Sequence, residues 1–182
     1  MYSGDPIWLN PENITKMFND FCFFNHIDEK RIVKLFDAHL LRGNDNRQTR
    51  KIEILQESFE ELREHIKYQR FKLASKIEAK LKMPIYCKYK YRIYYDRSNH
   101  LYTPTELLKT YSDVLRHEKH FTVEFIGELV TMGMLIGKYK PSENCYLVFL
   151  PSFVELLKFR EYNIDKMHIL PPPFNKPPEA HP

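Results

Sequence analysis

Glycine is scarce in this chain, at five of 182 residues, and the scarcity removes several functions at once. A phosphate-cradling loop and a Gly-x-Ser-x-Gly nucleophile elbow both need glycine where the backbone turns sharply or approaches a ligand, and neither pattern occurs. Cysteine is scarce too. Cys22, Cys87 and Cys145 are odd in number and widely spaced, with no Cys-x-x-Cys pair, so they read as reduced core residues and not as a disulfide framework or a zinc ribbon. No apolar run approaches the roughly 18 residues of a membrane span. Met1 to Asn10, with Asp5 and Pro6, lacks the apolar core of a signal peptide. The expectation is an intracellular protein, nuclear or cytoplasmic, in which the Asn13-Ile14-Thr15 sequon has no use.

What is present is apolar and aromatic. Aromatic residues make up 14% of the chain and apolar ones 43%, in periodic runs instead of repeats, which describes a folded protein of one large domain or two small ones. The formal charge of +4 is spread along the chain, so it permits nucleic acid without arguing for it. His117-Glu118-Lys119-His120 sets two imidazoles three residues apart, but it is not the His-Glu-x-x-His of a zinc protease and has no third ligand at a recognised spacing. It reads as a surface turn. No catalytic residue, metal site or cofactor is expected, and the chain is not read as an enzyme.

Between Ile85 and Leu150 the patterns fall into a definite order. Ile85, Cys87, Tyr89, Tyr91, Ile93 and Tyr95 alternate with Tyr86, Lys88, Lys90, Arg92 and Tyr94, which predicts a strand over Ile85 to Asp96 with one buried and one basic face. Thr103-Pro104-Thr105-Glu106 opens a helix expected to reach His117. Thr122 caps a second, with Phe125, Ile126, Leu129 and Val130 inward and Gly133 as its stop. Met134 to Tyr139 and Cys145 to Leu150 then predict a hairpin around Lys140-Pro141-Ser142-Glu143-Asn144. Tyr91, Ile93, Leu115, Phe125, Leu129 and Leu147 are the expected core of this unit.

This element order resembles the winged-helix superfamily, a variant of the helix-turn-helix. The resemblance implies that the helix starting at Thr122 would lie in the major groove of DNA. Its exposed positions are Thr122, Glu124, Gly127, Glu128 and Thr131, two carboxylates and no cation, which is the wrong charge for a polyanion. A structural or protein-binding winged helix is the expectation.

Upstream, Asn10-Pro11 opens a helix that places Ile14, Met17, Phe18, Phe21 and Cys22 on one stripe, and a second helix from Asp28 buries Ile32, Leu35, Phe36 and Leu40 before Leu41-Arg42-Gly43-Asn44. Residues 1–45 are thus read as a helical hairpin. Trp8, Phe23 and Phe24 exceed what it can bury. Asn46 to Lys82 contains no glycine or proline and is read as a long helix with coiled-coil spacing, whose seam is Ile52, Leu55, Phe59, Leu62 and Ile66. Its first half is acidic (Glu53, Glu57, Glu60, Glu61, Glu64) and its second half basic. After the hairpin, Ser152 and Glu155 predict a capping box over a short helix. Residues 162–182 form a proline-rich extended tail.

The expected fold is therefore α+β and mainly helical: a helical hairpin over 1–45, a long helix over 46–83, a winged-helix-like domain over 84–161 and the tail. The expected role is a non-catalytic protein-protein interaction module, an adaptor or subunit of an intracellular complex. Its partners would be other protein subunits or a second copy, met through Ile52, Leu55, Phe59, Leu62 and Ile66, with no membrane involved. The alternative is a subunit that binds RNA or single-stranded nucleic acid, with Tyr86, Lys88, Lys90, Arg92 and Tyr94 as cations and stacking rings and Lys138 and Lys140 extending the patch.

Overall fold

The computed structural model describes residues 4–46, 48–49, 51–76, 101–115 and 118–167. They form a mixed α/β chain with two small antiparallel sheets. The first unit begins at β1 (Trp8–Leu9), after which the Asn10 side chain accepts the Asn13 amide at 2.7 Å and Pro11 takes the first helical position of α1 (Pro11–Met17). The helix breaks at Phe18 and resumes as α2 (Asn19–Phe24). Asp28 caps α3 (Glu29–Asp37) by accepting the Arg31 amide at 2.8 Å. At the far end His39, at φ 61°, turns the chain back, and the amides of His39 and Leu40 bond the carbonyls of Phe36 and Leu35 at 3.1 and 2.8 Å. That pair of bonds is a Schellman motif. The hairpin β2 (Gly43–Asn46) and β3 (Lys51–Leu55) follows, with β3 between β1 and β2 in the sheet, and α4 (Gln56–Lys67) runs into a π-helical turn over Tyr68–Leu73.

The second unit repeats this order, with no counterpart of α2 among its described residues. After β4 (Leu101–Tyr102), Thr103 and Pro104 open α5 (Pro104–Thr110) as Asn10 and Pro11 open α1. Thr122 caps α6 (Val123–Thr131) as Asp28 caps α3. Gly133, at φ 80°, stands where His39 stands, and the amides of Gly133 and Met134 close the same two bonds onto Val130 and Leu129. The hairpin β5 (Gly137–Lys140) and β6 (Cys145–Phe149) again puts its last strand in the centre, and α7 (Leu150–Met167) departs from it as α4 does from β3. Trp8 pairs with Leu55 as Leu101 pairs with Phe149, and Gly43 pairs with Ile54 as Gly137 pairs with Val148. Both glycines are required. A Cβ on Gly137 would stand 2.7 Å from the Leu147 carbonyl oxygen, and one on Gly43 would collide with that of Glu53.

The chain is therefore a structural repeat, contrary to the reading of periodic runs without repeats. The long helix from Asn46 is also corrected. Asn46 ends β2 and Lys51–Leu55 form β3, because Lys51-Ile52-Glu53-Ile54 alternates with β-branched residues. Freedom from glycine and proline does not make a helix, and the boundary at residue 45 cuts through a sheet. The helix expected to reach His117 stops at Thr110, since Thr110 to Val114 are weak helix formers, and turns carry the chain on to Leu115. Ser152 is no cap but lies inside α7, which extends to Met167 and so takes up the first residues assigned to the tail. Met17, expected inward, is 58% exposed.

One apolar core joins the units. It contains Ile14, Ile32 and Leu35 of the first and Leu115, Phe125 and Leu129 of the second, the last three as expected. Leu147 is only half-buried and its neighbour Val148 takes the inward place. Tyr91, Ile93 and the strand predicted over Ile85 to Asp96 lie outside the described residues, as does the tail from residue 168.

Candidate functional site

Equivalent residues of the two units meet each other, as residues near a twofold axis must. Lys34 on α3 and Glu128 on α6 hold the same place in their units, and the Lys34 ammonium sits 2.8 and 2.9 Å from the two Glu128 oxygens, with Arg31 Nε at 3.7 Å. His65 on α4 and Phe159 on α7 are equivalent as well, and their rings stack at 4.5 Å and 14°. The helix that would read a groove is thus turned onto its counterpart. Gly127, another of its expected exposed positions, lies under the Tyr146 ring, where an added Cβ would be 3.2 Å from Cδ2.

Where the π-helical turn after α4 meets α7, the contact is buried and polar. Ser152 Oγ accepts the Ile136 amide at 2.7 Å and donates to Gln69 Oε1 at 2.7 Å, while Gln69 Nε2 donates to the Ser152 carbonyl at 3.1 Å. Ser58, the counterpart of Ser152, accepts the Arg42 amide at 2.8 Å. Burial holds the His65 imidazole down at about 4, despite a bond to the Met134 backbone that acts the other way. It is neutral in neutral solution. Burial also pushes the Cys22 thiol up to about 11, so it is a core residue and no nucleophile.

The predicted seam is internal. Phe59, Leu62 and Ile66 are buried in the joint core, and Leu55 and Ile52 belong to β3. Their three-and-four spacing packs α4 onto its own chain, which leaves no seam on the surface for a partner. Of the basic strand face, Tyr86, Lys88, Lys90, Arg92 and Tyr94 lie outside the described residues. Lys138 and Lys140 are half-buried on β5, and Lys140 pairs with Glu143.

Two surfaces remain open. Phe23 and Phe24, adjacent on α2, are 82% and 74% exposed. Behind them Phe18 and Phe21 pack against Phe59 at 4.8 and 5.9 Å, with the Arg63 guanidinium over both. Beside α4, Glu57, Glu60 and Glu64 line a shallow groove with Tyr68 and Tyr162. Glu61 there accepts from Arg42 at 2.7 Å and from the Tyr162 hydroxyl at 2.9 Å. Partial burial, and then the Glu61 carboxylate, hold the Tyr162 phenol above its ordinary range.

The sequence reading did not reach a third feature, a cleft of about 320 Å³ where the units meet, walled by His39 and Asp37 on one unit and by Glu118 and His120 on the other. Glu118 is buried and bonds Arg160 at 2.9 Å and the His120 amide at 3.4 Å, with His39 Nε2 at 3.6 Å. Glu118, Lys119 and His120 come from the stretch read as a surface turn, of which Glu118 is in fact buried, while Asp37 and His39 lie far upstream, so no motif joins the two walls. Among the described residues no group of three His, Cys, Asp or Glu side chains is placed to hold a metal ion, and no helix is long and apolar enough to cross a membrane. No protein-family model, curated protein or solved structure matches the chain.

Proposed function

We propose that the chain is a non-catalytic protein-protein interaction module, a subunit or adaptor of an intracellular complex, built from two winged-helix-like units in tandem. The winged-helix reading is supported by the order strand, helix, helix, strand, strand in the second unit, by the same order with one added short helix, α2, in the first, and by the last strand being central in each sheet. The protein-binding reading rests on Phe23 and Phe24. Two adjacent phenylalanines at 82% and 74% exposure, more than any other large apolar side chain among the described residues, support a surface that a partner covers. DNA reading by α6 is disfavoured by the same geometry, because Glu128 repels phosphate and is engaged by Lys34.

Affinity capture of a tagged chain from its native cells, beside a Phe23→Asp/Phe24→Asp variant, tests the proposal. The variant is expected to unfold at the wild-type temperature and to lose specifically captured proteins. Identical recoveries from both chains would overturn the docking surface. In an anisotropy titration against random duplex DNA at physiological salt, sequence-dependent submicromolar binding that Glu128→Ala abolishes would overturn the non-DNA reading.

A further inference from the structure

The cleft between the units collects three features that packing alone leaves unexplained. His39 is held at φ 61°, in the left-handed region, although its counterpart Gly133 shows that the same Schellman turn accepts glycine at φ 80°. Glu118, a buried carboxylate, is fixed by Arg160 and the His120 amide at the cleft wall. Asn163, 1% exposed and also in that wall, gives its amide hydrogens to the carbonyls of Leu40 and Phe159 at 3.3 and 3.2 Å. Its Oδ1 has no partner, and rotating the amide would set that oxygen against two carbonyls. A strained histidine and a fixed buried charge in the wall of one cavity, backed by the enclosed Asn163 amide, are the signs of a built site.

The chemistry of the wall narrows the ligand. With Glu118 neutralised by Arg160, the remaining polar groups are Asp37 as acceptor and Lys119, His39 and His120 as donors. A lone anion would meet the Asp37 carboxylate and a lone cation the Lys119 ammonium, whereas a ligand carrying both charges answers both. Phe36, Leu41 and Met167 supply an apolar wall, and about 320 Å³ is the small end of ligand cavities. We propose that this cleft binds a small zwitterion of free amino-acid type. Its ammonium is held by Asp37 and its carboxylate by Lys119 with His39 or His120. The site is independent of the Phe23–Phe24 surface.

The full chain, titrated with each proteinogenic amino acid at millimolar concentration and read by thermal unfolding and by amide chemical shifts, tests this. At least one is expected to raise the midpoint saturably and to shift amides around His39, Glu118 and Asn163, while the amine and the carboxylic acid that each lack one charge fail. His39→Gly relieves the strained backbone, so the free protein keeps or gains stability while affinity falls at least about tenfold; Lys119→Glu weakens binding likewise. The inference is overturned if no amino acid shifts midpoint or resonances, if a one-charge analogue serves as well, or if both variants bind like the wild type.

Discussion

Ser58 and Ser152 occupy the same place in the two units, each taking the amide that enters its hairpin, but Ser152 alone also donates across the junction to Gln69. Removing either hydroxyl strands a buried amide, at about 1–3 kcal/mol. Ser152→Ala additionally leaves Gln69 Oε1 unpaired, so it is expected to cost more than Ser58→Ala in denaturant unfolding; equal losses would refute the reach across. His65 gives the junction a pH dependence. Its folded value of about 4 lies below the 6.5 of an exposed histidine, so the unfolded chain takes the proton first. Stability is therefore full above pH 6.5, declines as pH falls through the interval and levels off below about 4, by at most about 3 kcal/mol. His65→Phe should flatten that part of the stability profile; an unchanged slope would show that His65 is not buried in neutral form.

At the scale of elements, twin positions should respond alike. Leu35 and Leu129 are both fully buried, and each offers its carbonyl to the Schellman turn of its helix. Alanine at either is expected to cost about 2–5 kcal/mol, with the two losses similar. A loss confined to one would mean that the units are not packed equivalently. Caps and prolines announced α1, α3, α5 and α6 in the sequence because those signals act within one turn. The strands β1 and β4 carried no such signal, since two-residue strands pair only with partners more than forty residues away. The seam of Ile52 to Ile66 misled because a strand followed by a helix can present apolar residues at heptad spacing by chance. One local signal of duplication was there to read, in Ser58-Phe59-Glu60-Glu61-Leu62 beside Ser152-Phe153-Val154-Glu155-Leu156. The cleft was illegible, since the turn that bends His39 toward Glu118 brings together residues about eighty apart.

On the scale of the whole molecule, duplication decides what is free to act. The Lys34–Glu128 pair between α3 and α6 and the His65–Phe159 stack between α4 and α7 turn equivalent faces of the two units toward each other. What remains outside is asymmetric, because Phe23 and Phe24 belong to the first unit alone. Hydroxyl-radical footprinting of the chain, free and in the complex captured from cells, reads that asymmetry directly. The account predicts heavy labelling of Phe23 and Phe24 in the free chain and protection of both in the complex, with α6 unchanged. Phenylalanines that stay labelled in the complex while residues of α6 become protected would contradict it.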